Sequence, residues 1–181
     1  LPRSASETAR AFMAGRPVRP AAPDRLRYML GRMGMRRLPE AARAGEEGCW
    51  GPGWYPPSEE EAPFRWSGPR ARLLLPHAAD AGWLVLEAGT FHPNPRYEPV
   101  EVEVRAGWRR LGSIRLEEKD FKPHRLRLPR RGNRRFPLTV TLYVKRGCFV
   151  PCEKGINDDP RLLGVALRGA WLEGEEGRAS G

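Results

Sequence analysis

Beyond Pro63 the chain alternates apolar and polar side chains with a period of two, in short runs closed by turn residues. Ala71–Leu75 ends at Pro76, Trp83–Glu87 ends near Gly89, and Val100–Arg105 ends at Gly107. Trp108–Leu116 is interrupted by Gly112, which predicts a bulge or tight turn, and His124–Leu128 closes at Pro129. Leu138–Val144 is the most regular run, and the last one extends from Gly164 to Leu172. Successive side chains of a strand point to opposite faces, so each run turns Val or Leu to a core and Glu, Arg or Thr to water. That is the antiparallel pattern. A parallel layout needs crossovers of a dozen or more residues, usually helical, and these connections offer none. The pattern predicts a mainly β fold, an antiparallel, jelly-roll-like β-sandwich of about seven or eight strands over residues 46–173.

The first 45 residues read differently. Ala, Arg and Pro dominate, and Pro17, Pro20 and Pro23 break any long helix. Ser6–Ala14 is one short helical candidate. Asp24–Leu38 is the better one, with Asp24 as N-cap and Leu26, Met29, Leu30 and Met33 at helical spacing, though Gly31 and Gly34 weaken it. Its apolar stripe suits packing on its own or a neighbouring domain, its arginines suit contact of residues 24–38 with an anionic membrane surface, and a nucleic-acid arm is a third use. Gly45–Pro63 reads as a long loop, and residues 174–181 as a disordered tail.

Charge sharpens this division. The net charge is +10, but residues 1–45 hold ten arginines against three acids, while the rest holds 22 basic and 19 acidic residues. A surplus gathered in a lead-in is a poor match to a basic groove, which argues against nucleic acid as the partner. The three cysteines (49, 148, 152) make no disulfide framework, although Cys148 and Cys152 could close a loop in an oxidising compartment. With His77, His92 and His124 scattered, no zinc spacing exists, and no cofactor is expected. No run of about 18 apolar residues is present to span a bilayer. The chain opens at Leu1 rather than methionine, which reads as a piece of a longer protein.

Catalytic signatures are hard to find. Ser67 and Ser113 lack an elbow-type Gly-x-Ser-x-Gly context, there is no Gly-rich phosphate loop, and the Glu117-Glu118 and Asp158-Asp159 pairs are of a kind any charged surface supplies. The alternative to a binding module is a small hydrolase-like enzyme on a β-scaffold, which would gather His92, His124 and a carboxylate in one cleft. A secreted lectin-like or structural protein is a further alternative.

Three patches occur in order: Gly53-Trp54-Tyr55 followed by Glu59-Glu60; Phe64-Arg65-Trp66-Ser67; and Phe149-Val150-Pro151 followed by Asp159-Pro160-Arg161-Leu162-Leu163-Gly164-Val165. Together, over residues 50–173, they resemble a β-sandwich accessory domain appended to bacterial glycosyltransferases and methyltransferases of cell-surface polysaccharide pathways. The two cysteines before Asp159 depart from that pattern. The resemblance implies a non-catalytic module, cytoplasmic or membrane-associated, with the periplasm or exterior left open, whose partner is a glycan or a catalytic domain. Trp50, Trp54, Tyr55 and Trp66 are candidate sugar-stacking rings, with capping of the core as the competing use. Glu59 is a candidate acceptor for hydroxyls, against the plain reading of Glu59–Glu61 as a solvated turn. Asp159, Arg161 and Gly164 read first as a loop pin, Arg161 bonding to Asp159 and Gly164 opening the last strand, with a ligand contact by Arg161 as the second use.

Overall fold

The computed structural model describes residues 41–76, 81–129 and 137–174. The helical segments expected at 6–14 and 24–38 lie outside the described residues, as does the tail beyond Gly174. Ten strands form: β1 (Ala41–Arg43), β2 (Trp54–Pro57), β3 (Arg65–Ser67), β4 (Arg70–Leu75), β5 (Ala81–Gly89), β6 (Val100–Ala106), β7 (Arg109–Leu116), β8 (Lys122–Arg127), β9 (Leu138–Arg146) and β10 (Ala166–Gly174). One sheet has the order β2-β3-β10-β5-β8, with β1 also pairing β10; the other has the order β4-β9-β6-β7. The ladders are antiparallel in both sheets. The architecture is the antiparallel sandwich that the two-residue rhythm predicts.

The core lies between the sheets. Leu84, Leu86, Ala88, Leu126, Leu167 and Ala170 come from the six-stranded sheet, and Leu73, Leu75, Val100, Val102, Val104, Val140 and Leu142 from the four-stranded one. These are the apolar phases of the alternating runs. Truncating any of the fully buried leucines to alanine removes about 2–5 kcal/mol of stability.

Three strands were not legible as alternating runs. β1 lies at residues assigned from sequence to the lead-in, β2 forms inside the stretch 45–63 expected to be a long loop, and β3 follows directly after it. They are three or four residues long, and β2 contains Pro56 and Pro57, which edge strands tolerate. Pro123 likewise sits in β8, at the other edge of the same sheet. The turn after β1 is tied to β3 by Arg65, which is 6% exposed. Its Nε donates to the Ala44 carbonyl at 2.9 Å, its terminal nitrogen pairs with Glu47, and its guanidinium lies 5.1 Å from the Trp50 ring centre.

Gly112 stands where the pairing of β6 and β7 slips by one residue, and a Cβ there would come within 2.9 Å of the Leu126 side chain. The glycine marks both an irregularity and a close approach to β8.

Candidate functional site

Antiparallel order brings the β3–β4, β5–β6, β7–β8 and β9–β10 connections to one end of the sandwich, and Phe64, just before β3, reaches it from the β2–β3 connection. A cluster of rings gathers there. Phe64 lies 5.9 Å from Trp66, 5.1 Å from Phe91 and 5.5 Å from Phe121, while Trp66 lies 5.8 Å from Phe91 and 5.7 Å from Phe149. Most pairs meet edge to face, which the ring quadrupoles favour. Phe64 and Phe149 are buried, forming the base of the cluster, whereas Phe91 is 37% exposed. Two further apolar side chains of these loops face solvent, Tyr97 at 85% and Ile156 at 47%.

The β5–β6 loop is held from within. His92 is 2% exposed, 5.1 Å from the Phe149 ring. Its Nδ1 accepts the Asn94 backbone N–H at 3.2 Å and its Nε2 lies 3.1 Å from Glu98 Oε2. Nδ1 is therefore the acceptor nitrogen, and the proton sits on Nε2, donated to Glu98. Burial pushes the imidazole below the usual histidine range, assisted by Lys154 and opposed by Glu98. The backbone N–H groups of Tyr97 and Glu98 both donate to the Asn94 carbonyl. Lys154 Nζ reaches Glu98 Oε2 at 3.4 Å, so one carboxylate fastens the β5–β6 loop to the β9–β10 loop.

The β9–β10 loop has its own fastening. Arg161 Nε and its terminal nitrogen donate to both carboxylate oxygens of Asp159 at 2.7–3.0 Å, and the Arg161 backbone N–H donates to Asp159 Oδ1 at 2.9 Å. This forked bond holds the Asp159 carboxyl below its usual range. The Asp159 carbonyl accepts the Cys152 N–H at 3.0 Å. The other side of the Arg161 guanidinium lies 4.9 Å from the Tyr55 ring centre, and Tyr55 donates its hydroxyl to the Leu162 carbonyl at 3.2 Å. Gly164 is enclosed: a Cβ would come within 2.7 Å of Ser67 Oγ and of Val144 Cγ2, and within 2.9 Å of the Gly68 carbonyl. Ser67 Oγ accepts the Val165 N–H at 3.0 Å. No disulfide joins Cys148 and Cys152.

The residues singled out from sequence fall into separate places. Tyr55, Trp66 and Arg161 belong to this loop end. Trp50 and Trp54 do not: they pack edge to face at 4.8 Å against the core, and their indole N–H groups donate to the carbonyls of Arg43 and Arg72. Glu59 lies exposed in the β2–β3 turn. Sequence reasoning passed over Phe91, Tyr97, Glu98 and Lys154, which sit in loops with no periodic signal.

It also passed over aromatics on the polar phase of strands. Trp83 on β5 faces away from the core, with Arg125 and Arg127 of β8 at 5.2 and 4.9 Å from its ring centre. Beside it, Trp171 donates its indole N–H to Glu173, which pairs with Arg125 at 2.7 Å. On the other sheet Tyr143 is ringed by Arg70, Arg105 and Lys145 at 5.1–5.3 Å. An aromatic at a solvent-phase position of an alternating run was the available signal for both.

Among the described residues no group of three or more His, Cys, Asp or Glu is placed to hold a metal ion. No described helix is long and apolar enough to cross a membrane.

No family model matches the chain, and no curated protein does. Among solved structures, the chain is similar to one described as CsCBM6-3 from Clostridium stercorarium in complex with cellobiose, at 10% identity and a TM-score of 0.41, over 74% of this chain and 92% of that one.

Proposed function

We propose that the sandwich is a non-catalytic glycan-binding module and that the loop end is its sugar site. The observation that carries this is Tyr97, 85% exposed, on a loop anchored by the buried His92 and bearing Glu98. A pyranose presents an apolar C–H face and a rim of hydroxyls. Tyr97 and Phe91 offer aromatic area to the first, while Glu98, Lys154 and Asn94 offer acceptors and donors to the second. Binding sites of this kind combine apolar rings with a few placed polar groups, and the internal bonds of both loops keep the ordering cost of binding low. The absence of catalysis is supported by His92: both its ring nitrogens are engaged, by Asn94 and by Glu98, so neither is poised to take a substrate proton.

The short motifs around Trp54, Trp66 and Asp159–Val165 support placing the module beside a glycosyltransferase or methyltransferase of bacterial surface-polysaccharide synthesis. A second reading is that the same end docks onto that catalytic domain, and Ile156 favours it, since an exposed isoleucine has no hydroxyl to bond. A screen of the purified chain against immobilised oligosaccharides separates the two. Retention of a sugar, competed by the same sugar in solution, supports the glycan site; no retention across neutral and acidic sugars removes it and leaves the docking face.

A further inference from the structure

We infer that the outer face of the four-stranded sheet is a second ligand surface, for a glycan chain carrying carboxylate or phosphate groups. Directly paired residues share a face, so the register sets out this surface in rows. Arg70, Tyr143, Glu103 and Ser113 form one row across β4, β9, β6 and β7, and Arg72, Thr141, Arg105 and Arg110 form the next. The Glu103 carboxylate serves three cations at once: Arg105 at 2.7 Å, Arg110 at 3.6 Å and Lys145 at 3.9 Å. Arg70, which lies over the Tyr143 ring, adds a fourth cation to the patch. Arg70 and Arg72 have no acidic partner among the described residues. One acid among Arg70, Arg72, Arg105, Arg110 and Lys145 leaves a patch with excess positive charge, in a body whose charges otherwise nearly balance.

The shape of the patch selects the kind of anion. It is a flat sheet face whose rows are set by strand spacings of ~4.8 Å, so a chain lying across the strands meets cations at β4, β6 and β7 in succession. Among the described residues no helix or ribbon projects from it to enter the groove of a duplex. Its central ring is occupied by three cations, which leaves no open platform for the bases of a single strand. Recognition here is by charge, with arginine forks matched to planar or tetrahedral oxyanions. The choice of a glycan as the polyanion rests on the reading of the loop end as a sugar site; the charge argument does not.

The test measures binding of the full chain to polygalacturonate, to a polysaccharide bearing phosphodiester groups, to neutral dextran, to duplex DNA and to anionic phosphatidylserine vesicles. The expected result is binding to one or both acidic polysaccharides and not to dextran, weakening about tenfold from low to physiological ionic strength. The two polysaccharides tell carboxylate from phosphate. Arg70→Gln/Arg72→Gln, at positions with no acidic partner to strand among the described residues, lowers that affinity about tenfold. Wild-type affinity in the double variant overturns the proposal, as does tighter binding of DNA or vesicles than of either polysaccharide. Loss of affinity in Tyr97→Ala with none in the double variant assigns acidic sugars to the loop end and overturns this surface, without touching the sugar reading itself.

Discussion

His92 and Glu98 are joined side chain to side chain, Nε2 to Oε2 at 3.1 Å, with the imidazole out of solvent and the carboxylate half in it. The pair takes its geometry from the chain between: Asn94 bonds the far ring nitrogen through its N–H and caps the turn into Tyr97 and Glu98 through its carbonyl. One buried neutral imidazole thus determines where Tyr97 stands.

That arrangement has a pH signature. The folded-state pKa of His92 is lowered, chiefly by burial, so the unfolded chain takes up the proton first. The contribution of His92 to stability is complete above its ordinary value of about 6.5 and is lost as pH falls below it toward the folded value. His124, also lowered by burial, acts in the same direction. Thermal midpoints of the wild type should fall as pH drops below about 6.5, and His92→Gln should flatten that fall without abolishing it. A wild-type midpoint constant from pH 7 to 5 would contradict the buried neutral state.

The forked bond between Asp159 and Arg161 makes a different prediction. Arg161 is exposed while the Asp159 side chain is 17% exposed, so removing the pair costs the fold on the order of 1 kcal/mol. Its effect is local. In Arg161→Ala the Asp159 carboxyl should return upward toward the ordinary range, and limited proteolysis should cut residues 147–163 faster. Both are read directly, by carboxyl titration in NMR and by mapping of the cleaved fragments. An unchanged Asp159 titration would show that other groups hold it.

Gly164 is predicted to be intolerant of the smallest change. Its surroundings include the Gly68 carbonyl, which is backbone and cannot swing away. Gly164→Ala should cost about 1–3 kcal/mol by overpacking, visible as a lower urea midpoint with an unchanged slope. Gly155, where a Cβ would meet nothing within 4 Å but φ is +67°, provides the contrast: Gly155→Asn, a residue that tolerates this conformation, should leave the midpoint nearly unchanged.

Seven of the strands, β4 to β10, were legible because each carries enough alternation for burial of one face to be read, and β9 is the clearest because it is central. β1 to β3 were not, since three or four residues hold too few alternations; β1 and β3 form against β10, and β2 against β3. The candidate site was legible only in part. Tyr55, Trp66 and Arg161 stood out as aromatics and an arginine near turn residues. Tyr97 and Glu98 did not, because a loop position gains its role from its neighbours in space. Trp50 and Trp54 illustrate the converse: their loop-like context pointed to solvent, but their rings pack on the core and their indole N–H groups donate to the Arg43 and Arg72 carbonyls of β1 and β4.

The most direct test follows chemical shifts while an oligosaccharide retained in the sugar screen is titrated into the labelled chain. Shifts confined to the amides of residues 90–99 and 147–163 and to the Tyr97 and Phe91 rings, with affinity lost in Tyr97→Ala while the fold is intact, are the result expected here. Shifts centred instead on Trp83 and Trp171, or undiminished binding in Tyr97→Ala, would contradict it.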